Sequence, residues 1–165
     1  MQSKLLNITS LATDYCAVVE NARQYEKADF ITEMLRLLPR LYLEFSDPET
    51  AGVSLDLDYG YFPAYVDEDF YDAARRGMEG VMGEDDVFLE TFEEDMKYSD
   101  SPIAASISES LADIFQPLYN FISVVKETQG EQAEGAYAEC RDNFAAYWSQ
   151  TLCNVLRAIN HLKYK

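Results

Sequence analysis

A chain of 165 residues, 48% of them hydrophobic, supplies one buried core, and this composition excludes a globally disordered protein. Its net charge of −17 disfavours direct binding to nucleic acid phosphates and to anionic membrane surfaces, so we expect neither partner. Basic proteins, cationic ligands and divalent metal ions stay open as partners, and we expect a single domain over residues 1–165.

Cysteine usage and the N-terminal residues favour a cytoplasmic protein. The three cysteines, Cys16, Cys140 and Cys153, each lie in a helical pattern without metal-type spacing, which predicts buried, reduced thiols. Residues 1–15 have neither the basic run nor the unbroken apolar stretch of a signal peptide. No apolar run approaches the roughly 18 residues of a transmembrane helix, so we expect a cytoplasmic location.

Apolar spacing in the first part of the chain predicts two helices. The first begins between Asn7 and Ser10, and the second covers about residues 29–45. Pro39 lies inside the second helix, where proline removes one backbone hydrogen bond and predicts a kink or a bulge. The predicted buried faces are Leu11, Tyr15, Val18, Ala22 and Tyr25, and then Phe30, Met34, Leu37, Leu38, Leu41, Tyr42 and Phe45.

The middle of the chain is less regular. Prolines and glycines interrupt residues 46–66, which predicts a loop that covers one end of the bundle. Asp67 is the expected cap of a third helix that continues to about Met82 and ends at Gly83. Residues 84–100 indicate a further short helix, with its apolar side formed by Val87, Phe88, Phe92 and Met96.

The last part of the chain predicts two long helices over residues 101–128 and about 132–161. Ser101-Pro102 is the expected start of the first, and Gly130 marks the turn between the two. A connection this short makes the helices antiparallel neighbours. Their apolar stripes are Ile107, Leu111, Ile114, Leu118, Phe121 and Val125, and then Tyr137, Phe144, Trp148, Leu152, Val155, Ile159 and Leu162. Pro117 interrupts the first stripe, as Pro39 does in the second helix.

The charge imbalance lies in the middle third of the sequence. Residues 44–100 contain 18 acidic side chains against Arg75, Arg76 and Lys97, which is a local net charge of −15. The rest of the chain is close to neutral. We therefore predict an all-α fold, an irregular up-down bundle of four main helices plus a short fifth, with a long acidic loop region.

Three stretches carry a family resemblance. They are residues 35–42, residues 106–121 and, in the last predicted helix, Cys140, Phe144, Tyr147, Trp148, Ser149, Gln150, Leu156, Arg157 and Ala158. Together they resemble the bacterial family catalogued as domain of unknown function 5063. The resemblance covers almost the whole chain and is weakest over residues 46–98. It implies an all-helical cytoplasmic domain with no assigned activity.

No catalytic motif accompanies this pattern. His161 is the only histidine, and the Glu-x-x-His and His-Glu-x-x-His metal motifs are absent. The acidic stretch from Asp56 fails the EF-hand template, because Tyr61 stands at its glycine position and Asp67 at its glutamate position. We therefore assign no catalytic residue, no metal ligand and no cofactor.

The best candidate site is the polar edge that the last two helices share. The predicted edge consists of Glu109, Asp113, Gln116 and Asn120 on the first helix and of Asn143, Tyr147, Gln150, Asn154, Arg157 and His161 on the second. In the antiparallel register, Glu109 or Asp113 is expected to face Arg157 or His161. Three interpretations stay open: an ion-pair network that fixes register, two solvated faces, or a ligand-binding or hydrolytic pocket that also includes Trp148. A Glu109 variant separates them, because a pocket predicts lost binding at unchanged stability and a network predicts lost stability.

The leading interpretation is a non-enzymatic protein-interaction module whose acidic surface docks a basic protein partner. The alternative is the small-molecule-binding or hydrolytic pocket at Glu109, Asp113, Trp148 and Arg157. A third interpretation is a homodimer formed through exposed aromatic side chains at Tyr59, Tyr61, Phe62 and Tyr65.

Overall fold

The computed structural model, which describes residues 3–47, 58–90 and 103–165, consists of helices and one small sheet. The first four helices are α1 (Ser3–Glu20), α2 (Lys27–Ser46), α3 (Glu68–Met82) and α4 (Ile107–Glu127). The C-terminal helix runs without interruption through α5 (Ala133–Asn143), a π turn (Phe144–Trp148) and α6 (Ser149–Tyr164). Short 3-10 turns cover Ala22–Gln24 and Gly83–Asp86. The predicted all-α fold is confirmed.

The two apolar stripes of the C-terminal hairpin are buried as predicted, except that Leu162 is only partly buried. Leu111 and Leu118 of α4 are fully inaccessible, as are Leu152 and Val155 of α6. The turn between the helices uses Gln129 and Gly130 with positive φ angles, and Gly130 tolerates this conformation because it has no Cβ atom. Helices α1 and α2 pack against this hairpin, so that all the helices described contribute to one hydrophobic core.

Helix α1 begins earlier than the sequence indicates. It is already helical at Ser3, whereas the prediction places its start between Asn7 and Ser10. Leu5 and Ile8 explain the difference, because both are about as buried as the centre of the core and continue the stripe by two further positions. Farther along α1, the fully buried Tyr15 hydroxyl donates a 2.6 Å hydrogen bond to the Leu111 carbonyl of α4.

The predicted start of α4 and the predicted short helix after Gly83 are both wrong where the structure describes them. Residues 87–89 form strand β1 (Val87–Leu89), which pairs antiparallel with strand β2 (Ala104–Ser106). Helix α4 therefore starts only at Ile107, and its cap is Ser106, whose hydroxyl accepts a hydrogen bond from the Glu109 amide. Ser101-Pro102, the expected cap, lies outside the described residues.

A buried carboxylate fixes this strand pair to α4. Asp86 accepts hydrogen bonds from the Ser108 amide at 2.8 Å, from the Ser108 hydroxyl at 2.7 Å and from the Ser106 hydroxyl at 2.9 Å. An acidic group at a helix N-terminus satisfies free amide donors and interacts favourably with the helix dipole. Asp86 thus explains why α4 begins at Ile107 and not farther upstream.

Helix α3 has the predicted limits. Asp67 caps it by accepting from the Phe70 amide at 2.8 Å, and Gly83 follows it with a φ of 57°. Several acids of the middle third are paired within the described residues: Asp72 with Arg75 and Arg76, and Asp85 with Lys27 and Lys165. The loop predictions for residues 48–57 and the helix prediction beyond Glu90 lie outside the described residues, so the acidic loop region stays a prediction.

None of the helices in the described ranges has the length and hydropathy that crossing a bilayer requires. The prediction for the thiols holds in part. Cys16 and Cys140 are buried free cysteines, whereas Cys153 is exposed.

Candidate functional site

A polar groove runs between α4 and the C-terminal helix. It consists of three adjoining recesses, called here the strand recess, the central cleft and the loop recess, with volumes of about 240, 350 and 200 Å³. Asp113 and Thr151 line both the strand recess and the central cleft, while Asn120 and Asn143 line both the central cleft and the loop recess. These cross-helix neighbours confirm the predicted antiparallel hairpin, and we call the whole feature the interhelical groove.

Two helix irregularities face each other at the central cleft. Pro117 lies inside α4, and because proline has no amide hydrogen, the Asp113 carbonyl lacks the helical donor that position 117 would otherwise supply. Across the cleft, residues 144–148 form a π turn, whose i to i+5 hydrogen bonds accommodate an extra residue. Pro117 and two residues of the π turn, Tyr147 and Trp148, line the cleft. The groove therefore lies where both helices depart from regular α geometry.

Asp113 is an acid of the groove whose pKa the protein shifts. Its Oδ1 atom accepts a 2.5 Å hydrogen bond from the Tyr71 hydroxyl of α3. Burial raises the pKa of the Asp113 carboxyl above its ordinary value; the Tyr71 hydrogen bond opposes this shift, and the Glu109 charge adds to it. Burial and the Asp113 hydrogen bond also raise the pKa of the Tyr71 hydroxyl. Asp113 is thus an acid whose negative charge the protein stabilises only in part.

The loop recess adds a second acid of this kind. Burial raises the pKa of Glu139, which lines the recess on the α5 side. Residues 61–64 form its outer wall, and the chain is held there because the Tyr65 amide donates a 2.7 Å hydrogen bond to the Asn120 side chain. Gly135 permits this close approach, since a Cβ atom there would lie 3.1 Å from the Phe62 ring.

The aromatic side chains proposed for a homodimer lie mostly against the protein's own core. Tyr59, Phe62 and Tyr65 are half-buried and pack on the hydrophobic core, and the Tyr59 hydroxyl donates to Asp142 at 2.9 Å. Tyr61 is 91% exposed. Homodimerisation stays an untested prediction, with Tyr61 as the aromatic side chain of this set that is available for it.

Three of the four predicted site residues line the interhelical groove. Glu109 lines the strand recess, Asp113 lines the strand recess and the central cleft, and Trp148 lines the central cleft. Only 3% of Trp148 is exposed, and its indole nitrogen donates a 3.3 Å hydrogen bond to the Cys140 carbonyl. The indole therefore forms a fixed apolar wall of the cleft.

Arg157, the fourth predicted site residue, does not line the interhelical groove. It lies in a separate depression between α2 and α6, where Leu35 and Cys153 are neighbours, and its guanidinium donates a 3.0 Å hydrogen bond to the Leu89 carbonyl. Within the described ranges no ion pair joins Glu109 or Asp113 to Arg157 or His161, so the expected pairing across the hairpin is wrong.

The π turn explains where Arg157 and Cys153 are found. An extra residue in a helix rotates everything after it by about 100° relative to a regular 3.6-residue pattern. Thr151, and not the predicted Gln150, accordingly follows Tyr147 along the groove. The same rotation turns Arg157 toward α2 and leaves Cys153 exposed.

Sequence reasoning missed four groove residues, Tyr71, Glu90, Glu139 and Thr151. Thr151 continues the four-residue step from Asn143 and Tyr147, so that spacing was a usable signal. No local pattern points to Tyr71 or Glu90, because each reaches the groove from a different part of the chain. Glu139 lies one turn before Asn143 on the same helix face.

The lining of the groove is acidic. Four carboxylates contribute to it, from Glu90, Glu109, Asp113 and Glu139, and no lysine, arginine or histidine lines any of the three recesses within the described part of the chain. The same residues contain no cluster of three or more His, Cys, Asp or Glu side chains arranged to hold a metal ion. The groove therefore offers carboxylate and amide oxygens as hydrogen-bond acceptors beside an indole wall.

The family model described as Domain of unknown function (DUF5063) matches residues 1–165. The chain belongs to the DUF5063 family. Among solved structures, it is similar to protein BF1032 from Bacteroides fragilis, whose crystal structure was determined by a structural genomics consortium. The TM-score is 0.81 at 27% sequence identity, and the match covers 99% of this chain and 94% of that chain. A comparison with curated proteins finds no match. The DUF5063 assignment supports the helical fold and carries no assigned activity.

Proposed function

We propose that this DUF5063 protein is a non-enzymatic interaction module that binds a basic segment of a partner protein in the interhelical groove. The observation that carries the proposal is the charge of the lining: Glu109, Asp113 and Glu139 contribute carboxylates to it, and within the described residues no lysine, arginine or histidine forms an ion pair with any of these three. A bound segment rich in lysine or arginine supplies the missing positive charge. Complementary charge of this kind increases both the specificity and the rate of association.

The length of the groove suits a peptide in extended conformation. Its recesses follow α4 from Ser106 to Val124, which corresponds to about 27 Å at 1.5 Å per residue. An extended chain advances about 3.3 Å per residue, so about eight residues fit along it. Alternate side chains of such a segment face the groove floor, which matches three successive recesses.

The groove chemistry supports binding over catalysis. Cys140 is the thiol that lines it, and burial raises the pKa of Cys140, which makes its thiolate scarce. The three cysteines are free thiols, which supports the reducing, cytoplasmic location that the proposal includes.

A labelled peptide tests the proposal. The probe is a fluorescein-labelled peptide of about eight residues that alternates lysine and alanine, titrated with the full chain at about 50 mM salt while anisotropy is recorded. We expect Glu109→Gln/Asp113→Asn to weaken binding by about tenfold or more. The matched control, Glu68→Gln/Glu84→Gln, removes the same charge from exposed positions outside the groove and should change affinity by less than about twofold. Equal weakening by both variants would show that binding depends on net charge alone and would refute the groove as the binding site.

A second candidate function is favoured by the position of Trp148. The central cleft joins a largely buried indole wall to several polar side chains, which is the usual composition of a small-molecule site. In this version the ligand is a small amine held by Asp113. Competition between the labelled peptide and free amines of similar charge density distinguishes the two, because a small-molecule site predicts displacement of the probe at low amine concentration.

A further inference from the structure

We propose that the central cleft is an anchor site for the guanidinium group of a single arginine in the bound segment, and that it discriminates arginine from lysine. This inference rests on the proposed function, since it names the side chain that the groove selects. Three features of the cleft carry it, namely its size, its free acceptors and its aromatic side chains, together with the different geometry of the two competing cations.

The cleft has the size of one long side chain with its hydration. Its volume is about 350 Å³, it is the largest of the three recesses in the groove, and it lies at their centre. Anchor residues of protein interfaces characteristically fill central pockets of this kind, while the surrounding contacts exclude water. An extended segment lying along the groove therefore places one side chain in the cleft.

Hydrogen-bond acceptors surround this space. The Asp113 Oδ1 atom accepts from Tyr71, whereas Oδ2 makes no hydrogen bond within the described residues. The side chains of Gln116, Asn143 and Thr151 line the cleft and also have no hydrogen-bond partner within those residues. The Asp113 carbonyl also lacks its helical donor, because position 117 is proline. One charged and several neutral acceptors thus face a single ligand group.

Aromatic rings complete the cleft. Trp148 is 3% exposed and forms its fixed wall, while Tyr147 is 73% exposed at its edge. A guanidinium group stacks favourably on the exposed Tyr147 ring through its flat face while its rim donates hydrogen bonds.

The two cations have different requirements. Guanidinium is planar, weakly hydrated and has five donors that spread over several acceptors. An ammonium group is compact and strongly hydrated, so it loses more hydration in the cleft and reaches fewer of the dispersed acceptors. The arrangement of one carboxylate, two side-chain amides, a hydroxyl and one accessible aromatic ring therefore favours arginine.

The experiment compares two peptides that differ at one residue. The first is the alternating lysine–alanine probe, and the second carries arginine in place of its central lysine, which leaves the charge unchanged. We expect the arginine peptide to bind about fivefold more tightly. We also expect it to change the fluorescence of Trp148, which is the only tryptophan of the chain. Equal affinity of the two peptides would overturn the inference.

Substitutions in the central cleft test which residues cause the preference for the arginine peptide. Tyr147→Ala and Gln116→Ala should each reduce the arginine preference to less than about twofold and leave the affinity for the all-lysine peptide nearly unchanged. Tyr164→Ala is the matched control, because Tyr164 is 75% exposed on the same C-terminal helix but outside the groove, and it should retain the full preference. A preference that survives both cleft variants would place arginine recognition elsewhere. One further outcome separates the two proposals. If Glu109→Gln/Asp113→Asn abolishes peptide binding while the unaltered protein binds the arginine and all-lysine peptides equally, the inference is refuted and the proposed function stands.

Discussion

The Tyr71 hydroxyl of α3 donates a 2.5 Å hydrogen bond to the Asp113 carboxylate of α4, at the point where the strand recess meets the central cleft. This contact joins a third helix to the groove between the last two. It fixes the position of Asp113 while burial still raises the pKa of that carboxyl, so the charge is oriented but incompletely stabilised. In the proposed complex, a cationic group of the ligand would supply the missing stabilisation.

Replacing Asp113 by asparagine should separate binding from stability. The asparagine side chain keeps an acceptor for the Tyr71 hydroxyl and removes a charge that burial disfavours, so thermal stability should stay the same or increase. Affinity for the basic peptide should fall by about fivefold, because one charge-assisted contact is lost. Calorimetry and anisotropy on the same sample measure both effects, with Asp14→Asn on the exposed side of α1 as control. A large loss of melting temperature with affinity retained would mean that Asp113 is structural.

On acidification, peptide binding should weaken at a higher pH than it would if Asp113 had the pKa of an ordinary aspartate. The pKa of Asp113 is raised, so acidification neutralises it above the ordinary value of about 3.9, and the cation then loses its partner. Tyr71→Phe removes the hydrogen bond that lowers this pKa and should move the midpoint still higher. Between the ordinary pKa of aspartate and the raised pKa of Asp113, the native state binds more protons than the unfolded state. The contribution of Asp113 to the free energy of unfolding therefore falls as pH rises through this range.

Affinity measured between about pH 4 and pH 7.5 checks this, with Asp113→Asn as the reference that lacks the titrating group. If the wild type and Asp113→Asn lost affinity at the same pH, another group would be responsible.

The core could be predicted from the sequence because it depends on helix periodicity alone. Leu111, Leu118, Leu152 and Val155 are buried as their spacing requires. The start of α4 could not be predicted in this way. Ser101-Pro102 and Ser106 both satisfy the local chemistry of a helix cap, and Asp86, distant in sequence, selects Ser106 by tertiary hydrogen bonds. The strand pairing of Val87 with Ser106 is equally non-local.

Loss of the Asp86 carboxylate should destabilise the fold. Asp86→Ala leaves the Ser108 amide and two serine hydroxyls without their acceptor in a buried place, which should cost about 3 kcal/mol of unfolding free energy. Urea denaturation measures this loss. Asp85→Ala is the control, since its partners Lys27 and Lys165 form surface ion pairs that contribute about 1 kcal/mol or less. Similar losses for the two neighbours would contradict the capping role of Asp86.

Restoring a regular α4 should increase the stability of the protein and weaken peptide binding. Pro117→Ala returns an amide donor to the Asp113 carbonyl and removes an interior proline, so we expect a gain of about 1–2 kcal/mol in unfolding free energy. It also changes the course of α4 where Pro117 lines the central cleft, and peptide affinity should fall by about threefold. Thermal denaturation and anisotropy measure the two effects. A gain in stability with tighter binding would show that the proline does not serve the groove.

The candidate site could be predicted only as far as the π turn. Glu109, Asp113 and Trp148 precede or lie within it and line the groove, whereas Arg157 follows it and lies on another face. Projection onto a regular helix assumes a constant rotation per residue. Residues 144–148 contain no proline or glycine, so the sequence does not indicate an irregular turn there. Packing of Phe144 and Trp148 against Phe45 accompanies the turn and involves a helix about a hundred residues away in sequence.

The most direct measurement is the location of the bound peptide on the isotope-labelled full chain by amide chemical-shift mapping. We predict that the basic peptide perturbs the amides of Glu109, Asp113 and Asn120 together with those of Asn143 and Thr151, on both sides of the interhelical groove. Perturbations centred instead on Asp67, Asp69 and Glu84, at the acidic surface of α3 and its C-terminal turn, would contradict the account.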